Sequence, residues 1–177
     1  GVRIVPVAHV VGVVDAFGTN GDPYTVVVLH GARTVQIRKG HRRPGKAVVN
    51  AAQRVVVIAG MGAVEADAGP ACQALAAKAG GLLATSLPAR GLFHDDPFCI
   101  GISGSFSTET GIEYLAQADL VIAVGCSLAF HLGGGGQLWP KAKLLHIDIA
   151  PVAISQGQEV ARHHLRADAR LAAEQLL

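Results

Sequence analysis

The chain has 177 residues, 50% of them hydrophobic, which is enough for one substantial core, and its formal net charge of +2 gives no electrostatic case for a nucleic-acid partner. No apolar run approaches the roughly 20 residues that a membrane helix needs, so a membrane partner is not expected either. The three cysteines, Cys72, Cys99 and Cys126, are widely spaced and form no Cys-x-x-Cys pair, which points to reduced thiols of a cytoplasmic protein instead of a disulfide framework.

The first residue is Gly1 and not Met, which leaves open a shortened chain or fragment and a removed targeting segment. From Gly1 to about Gly40 the texture is β: Val7 to Val14 is valine-rich, Tyr24 to Leu29 is apolar, and Thr34 to Arg38 alternates. Asn20-Gly21 and Asp22-Pro23 supply turn chemistry between the first two runs, so a small antiparallel piece of two or three strands is expected. Arg38, Lys39, Arg42, Arg43 and Lys46 then surround Gly40, Pro44 and Gly45. No aromatic residue is interleaved to stack on bases, and the stretch reads as a solvated connector. Residues 1–50 are therefore an unassigned β segment with a basic linker, and residues 51–177 are the main domain.

Val55 to Ile58 is a run of four β-branched residues without alternation, as in a central strand buried on both faces. It ends at Gly60 and Gly62, in a strand-to-helix turn whose free N–H groups and helix dipole could receive a phosphate. The third glycine of the dinucleotide fingerprint is replaced by Glu65, and Ala84-Thr85-Ser86 stands where that pattern wants an acid, so ordinary NAD binding is disfavoured. A helix is expected over about 70–79, where Pro70 suits the first turn and Gly80 and Gly81 end it. Leu82 to Thr85 is a second strand, Asp119 to Val124 a third closing on Gly125, and Lys143 to Ile149 a fourth. A helix from about Phe106 to Ala116 precedes the third strand, and Asp168 can cap a last helix running to Leu177. Strands alternating with helices specify an α/β fold, a doubly wound, mainly parallel, Rossmann-like sheet. Its ligand crevice would lie at the carboxyl ends of the strands, with the glycines, Thr85, Ser86, Gly125 and Asp148.

In order and spacing, Gly60-Met61-Gly62-Ala63, Thr85-Ser86 with Arg90-Gly91-Leu92-Phe93, Gly101-Ile102-Ser103-Gly104, Ala118 to Gly125, and His146-Ile147-Asp148-Ile149-Ala150-Pro151 resemble successive signatures of one domain. It is the central domain of thiamine-diphosphate-dependent decarboxylases and carboligases, the group of acetolactate synthase, pyruvate oxidase and benzoylformate decarboxylase. The resemblance covers about Ala51 to Leu177 and leaves residues 1–50 unmatched. It implies a sheet of about six strands between two catalytic domains, which binds FAD in some members, ADP in others, and no nucleotide in several. Carried onto this chain, Gly60 and Gly62 would approach a phosphate. Thr85, Ser86, Gly125 and the loop from Gly101 to Gly104 would line the crevice, and Asp148 with Ile149 would sit at the adenosine end. The other reading is that the glycines only make turns and Asp148 caps a short helix starting at Pro151.

After Gly125 the flavin-binding synthases tend to carry an Arg- and Asp-bearing segment, whereas here Cys126 to Leu132 leads into Gly133 to Gly136, read as a flexible loop. Gly101-Ile102-Ser103-Gly104-Ser105 lacks the last glycine of a nucleophile elbow and follows a loop, so a serine hydrolase is not expected. His94-Asp95-Asp96 and His163-His164 read as surface residues, having no metal-ligand spacing. The family's metal–diphosphate motif, Gly-Asp-Gly with an Asn further on, has no counterpart, since the only Gly-Asp is Gly21-Asp22 and Pro23 follows it. The resemblance thus implies a non-catalytic domain of an oligomeric enzyme whose thiamine diphosphate and Mg²⁺ are held by its pyrimidine- and diphosphate-binding domains. The alternative is a self-contained nucleotide-binding protein or oxidoreductase on the same sheet.

Overall fold

A computed structural model of the chain describes residues 16–17, 44–149, 161 and 163–177. The strands are β1 (Ala16–Phe17), β2 (Val55–Ala59), β3 (Leu82–Thr85), β4 (Cys99–Ile102), β5 (Leu120–Val124), β6 (Lys143–Asp148) and β7 (His163–Arg166). They form one sheet in the order β1-β7-β6-β5-β2-β3-β4, in which β2 to β7 run parallel and β1 is antiparallel to β7. Counted from β2, the parallel strands follow the order 3-2-1-4-5-6 of a doubly wound fold, as expected. The connectivity reverses between β2 and β5, and it is there that a crevice opens.

Burial on both faces explains the apolar runs. All five residues of β2 and all five of β5 are buried. Val55, Val57 and Ala59 pack on one side with Leu75 of α3 (Gly69–Ala79) and Ala172 of α6 (Ala169–Leu176). Val56 and Ile58 point the other way, toward Leu115 of α4 (Glu109–Gln117) and Trp139. Burying each such aliphatic side chain contributes about 1.5–3 kcal/mol, which makes these two strands the centre of the core. Asp119 fixes where they start: its carboxylate accepts the N–H groups of Gln53 and Arg54, each at 2.9 Å.

The helix ends follow their capping chemistry. Asp168 Oδ1 accepts the Leu171 N–H at 3.0 Å, as its position before the last helix predicts, and Gly80 ends α3 in the left-handed conformation. The helix expected from about Phe106 begins later, at Glu109, because the Thr108 hydroxyl caps it by accepting the Gly111 N–H at 3.1 Å.

Several elements depart from the sequence reading. Pro44, Gly45 and Lys46, read as connector, open an eight-residue helix, α1 (Pro44–Ala51), whose Val49 joins the core with Leu176. Proline and glycine are compatible with a first helical turn, so the basic stretch ends at the third residue of a helix. The loop expected before Ser103 is strand β4, and the pair His163-His164, read as surface, lies in β7 with both residues half-buried. Gly133 to Gly136, read as a flexible loop, ends α5 (Phe130–Gly133) and continues into a 3₁₀ turn (Gly134–Gly136) with Gly135 in the left-handed region. The strands expected in residues 7–14, 24–29 and 34–38 and the helix from Pro151 fall outside the described residues. Among those described, no helix is long and apolar enough to cross a membrane.

Candidate functional site

At the carboxyl ends of β2, β3, β5 and β6 lies a crevice of about 920 Å³. Of the residues expected there, Gly62, Ser86, Gly125, Asp148 and Ile149 line it. Gly60, Thr85, Gly101 and Gly104 do not: Thr85 is buried in the end of β3, where its carbonyl accepts the Ser103 N–H at 2.8 Å, Gly101 lies within β4, and Gly60 and Gly104 shape turns. The segment after β4 reaches the crevice through Ser103, Ser105 and Phe106 instead.

Two turns meet at the switch point. The short helix α2 (Met61–Glu65) follows β2 through Gly60, and Gly125 follows β5. Gly60 N–H donates to Val124 O at 2.8 Å and Gly62 N–H to Gly125 O at 3.0 Å. A methyl group on Gly60 would overlap the Gly125 carbonyl oxygen, and one on Gly125 would overlap the Ala63 nitrogen. The glycines are therefore needed for backbone-on-backbone contact between the turns. Other N–H groups along the strand ends are likewise engaged: Ser86 to Ala59 O, Ser103 to Thr85 O, Ser105 to His131 O and Gly125 to Ile147 O, all within 2.9 Å.

Beside Cys126 and Asp148, His146 also lines the crevice, only 1% exposed and absent from the expected site. Its Nε2 lies 2.7 Å from Cys126 O, its Nδ1 3.1 Å from Nδ1 of His164, and Asp148 Oδ2 is 3.6 Å from Nε2. The one available signal was a histidine flanked by Leu144, Leu145 and Ile147 in a strand run, a polar group placed where burial demands a partner. Burial pushes the thiol of Cys126 well above its ordinary range, so it lines the crevice as a neutral group.

The remaining candidates are turn chemistry. Ser103 Oγ donates to Leu132 O at 2.9 Å, which occupies the hydroxyl that a nucleophile elbow would present. His94 and Asp95 form an exposed pair at 3.0 Å, and Asp96 accepts from Gln73 Nε2 and the Phe98 N–H.

FAD and ADP both carry a diphosphate, which is recognised by free N–H groups and by cationic side chains. Here the N–H groups of Gly60 and Gly62 are engaged, and among the described residues lining the crevice the charged side chains are Glu65 and Asp148, with no Lys or Arg. The two glycine N–H groups of the fingerprint are therefore not open to a diphosphate. For Mg²⁺, the described residues bring together no group of three or more His, Cys, Asp or Glu that could hold a metal ion.

Comparison with known proteins adds the following. The family described as thiamine pyrophosphate enzyme, central domain, matches residues 46–176. A probable acetolactate synthase large subunit of Methanocaldococcus jannaschii is 28% identical over 125 residues, 70% of this chain and 20% of that protein. An acetolactate synthase large subunit of Corynebacterium glutamicum is 30% identical over 115 residues, 64% of this chain and 18% of that protein. A probable 2-ketoarginine decarboxylase of Pseudomonas aeruginosa is 34% identical over 148 residues, 77% of this chain and 26% of that protein. The aligned stretch thus spans about a fifth to a quarter of the length of these relatives.

Proposed function

The chain belongs to the central-domain family of thiamine pyrophosphate enzymes, and on that premise we propose that it is the non-catalytic middle part of a thiamine-diphosphate-dependent decarboxylase or carboligase acting on a 2-keto acid, similar to acetolactate synthase. The span of the match carries this reading: residues 46–176 take in the sheet from β2 to β7 with its helices α2 to α6 and most of α1. Thiamine diphosphate and Mg²⁺ are then held by the pyrimidine- and diphosphate-binding domains of the parent enzyme, a homo-oligomer. In this proposal the domain serves assembly. Exposed Phe98, Tyr114 and Phe130 support it, since large apolar side chains left on a surface favour contact with another surface. Of the family's FAD-binding, ADP-binding and nucleotide-free forms, the last agrees best with the engaged turn donors and the two crevice carboxylates. The three unpaired cysteines agree with a cytoplasmic setting.

The test is the reading frame around this segment. It should encode, beyond these residues, a Gly-Asp-Gly motif with an Asn further on, and a frame encoding no such motif on either side contradicts the reading.

A further inference from the structure

The sheet does not stop where the family match begins. The match starts at residue 46, whereas β1 (Ala16–Phe17) lies upstream of it and still pairs antiparallel with β7, Ala16 opposite His164 and Phe17 opposite His163. We infer that the outer edge of β7 is a docking edge for an extended strand, and that the segment carrying Ala16 and Phe17 is its occupant within the same chain.

The register identifies the groups that dock. In a parallel pair, successive residues turn their N–H and C=O alternately toward the neighbouring strand and away from it. Asp148 of β6 stands opposite Arg166, and its carbonyl accepts the Ala167 N–H at 3.1 Å. The backbone groups of 163, 165 and 167 therefore face β6, and those of His164 and Arg166 point out of the sheet edge. Ala16 stands opposite His164, so these two residues exchange both backbone bonds, while Phe17 and His163 form the adjoining pair without them. An outward row of N–H and C=O groups is a template for another strand, and native edges are guarded by charges, proline or bulges. β7 has neither proline nor a break in its register with β6, and its Arg166 donates Nε to Ile149 O at 3.0 Å, back toward the end of β6. The guard here is β1 itself. One hydrogen-bonded pair is a small hold, so β1 can be released without opening the core. Recognition through backbone tolerates many side chains and selects an extended, antiparallel chain. The polypeptide ahead of the family domain is thereby tied to β7, next to the strand whose end reaches the crevice.

Amide hydrogen exchange of the 177-residue chain, followed by NMR, tests this. The His164 N–H bonds to β1 and the Leu165 N–H to β6, so the two amides separate the edge from the interior of the sheet. Ala16→Pro removes the N–H that the His164 carbonyl accepts. It should lower the protection of His164 at least tenfold and leave that of Leu165 unchanged, whereas Ala16→Ser, which keeps the N–H, should leave both unchanged. A peptide of residues 12–20, added at millimolar concentration to the Ala16→Pro chain, should restore the protection of His164. Unchanged protection in Ala16→Pro, or no restoration by the peptide, would overturn the inference. So would His164 protection that falls on dilution of the parent chain, because the strand would then come from a second copy.

Discussion

The Nε2 of His146 lies 2.7 Å from the carbonyl oxygen of Cys126, which ties the middle of β6 to the turn that leaves β5. A carbonyl only accepts, so this nitrogen carries a proton and donates it. In the neutral ring Nδ1 then accepts, and the Nδ1–H of His164, 3.1 Å away on β7, donates to it. Three neighbouring strands, β5, β6 and β7, are joined by one side chain at the crevice wall.

Replacing His146 by Ala should therefore remove a buried hydrogen bond and leave a cavity. The expected loss is about 2–4 kcal/mol, from the unsatisfied Cys126 carbonyl and the lost packing together. A lower midpoint of urea unfolding at unchanged slope would register it. A variant as stable as the parent would show that the imidazole is not a structural tie.

Gly104 and Gly101 separate two reasons for a glycine. Gly104 has φ +105°, and a methyl group there would overlap the carbonyl oxygen of His131, whereas Gly101 has φ +90° and open space around it. Gly101→Ala should lose only the backbone strain, about 1–3 kcal/mol. Gly104→Ala should lose more, because the α5 backbone must also move. Thermal unfolding of the two variants side by side checks the order.

What the sequence reveals of this fold depends on how local each cause is. Val55 to Ile58, Leu82 to Thr85 and the run to Val124 declare buried strands because unbroken apolar runs need cover on both faces, and Asp168 announces the last helix by its cap. β4 was missed because Cys-Ile-Gly-Ile is short, half-buried and at the sheet edge, and β7 because His163, His164 and Arg166 look solvated. The helical state of Pro44 to Lys46 goes with the packing of α1 on α6 at the far end of the chain, where Val49 and Leu176 share one core, a relationship that no window of sequence displays. At the site, Gly62, Ser86, Gly125, Asp148 and Ile149 were legible because doubly wound sheets place ligands at strand ends. The partnership of Gly60 with Gly125, which turns a phosphate-binding pattern into a packing contact, was not.

The thiols provide a pH dependence. Burial pushes Cys72 up from 9.0 to about 12, and burial also raises Cys126. A raised pKa means that the folded state holds its proton when the unfolded state has released it. Stability from these groups is fully present below about pH 9 and is lost as pH rises toward 12, at up to about 1.4 kcal/mol per pH unit per thiol. Unfolding midpoints measured across that range should fall, and Cys72→Ala should flatten the fall. At pH 8 a thiol reagent should label half-buried Cys99 first and reach Cys72 and Cys126 only on unfolding.

The central claim is that this domain lacks the chemistry of its family when alone. Thiamine catalysis requires a diphosphate held through a metal and a glutamate set at the pyrimidine ring, and Mg²⁺ prefers several oxygen ligands in near-octahedral geometry. The described residues bring together no such cluster, and Asp95 with Asp96 lies in an exposed turn distant in sequence from the crevice carboxylates. The most direct measurement is turnover of a 2-keto acid by the 177-residue chain supplied with thiamine diphosphate and Mg²⁺. The account predicts a rate no higher than that of the control without protein. Turnover above that control, abolished when thiamine diphosphate is withheld, would contradict it.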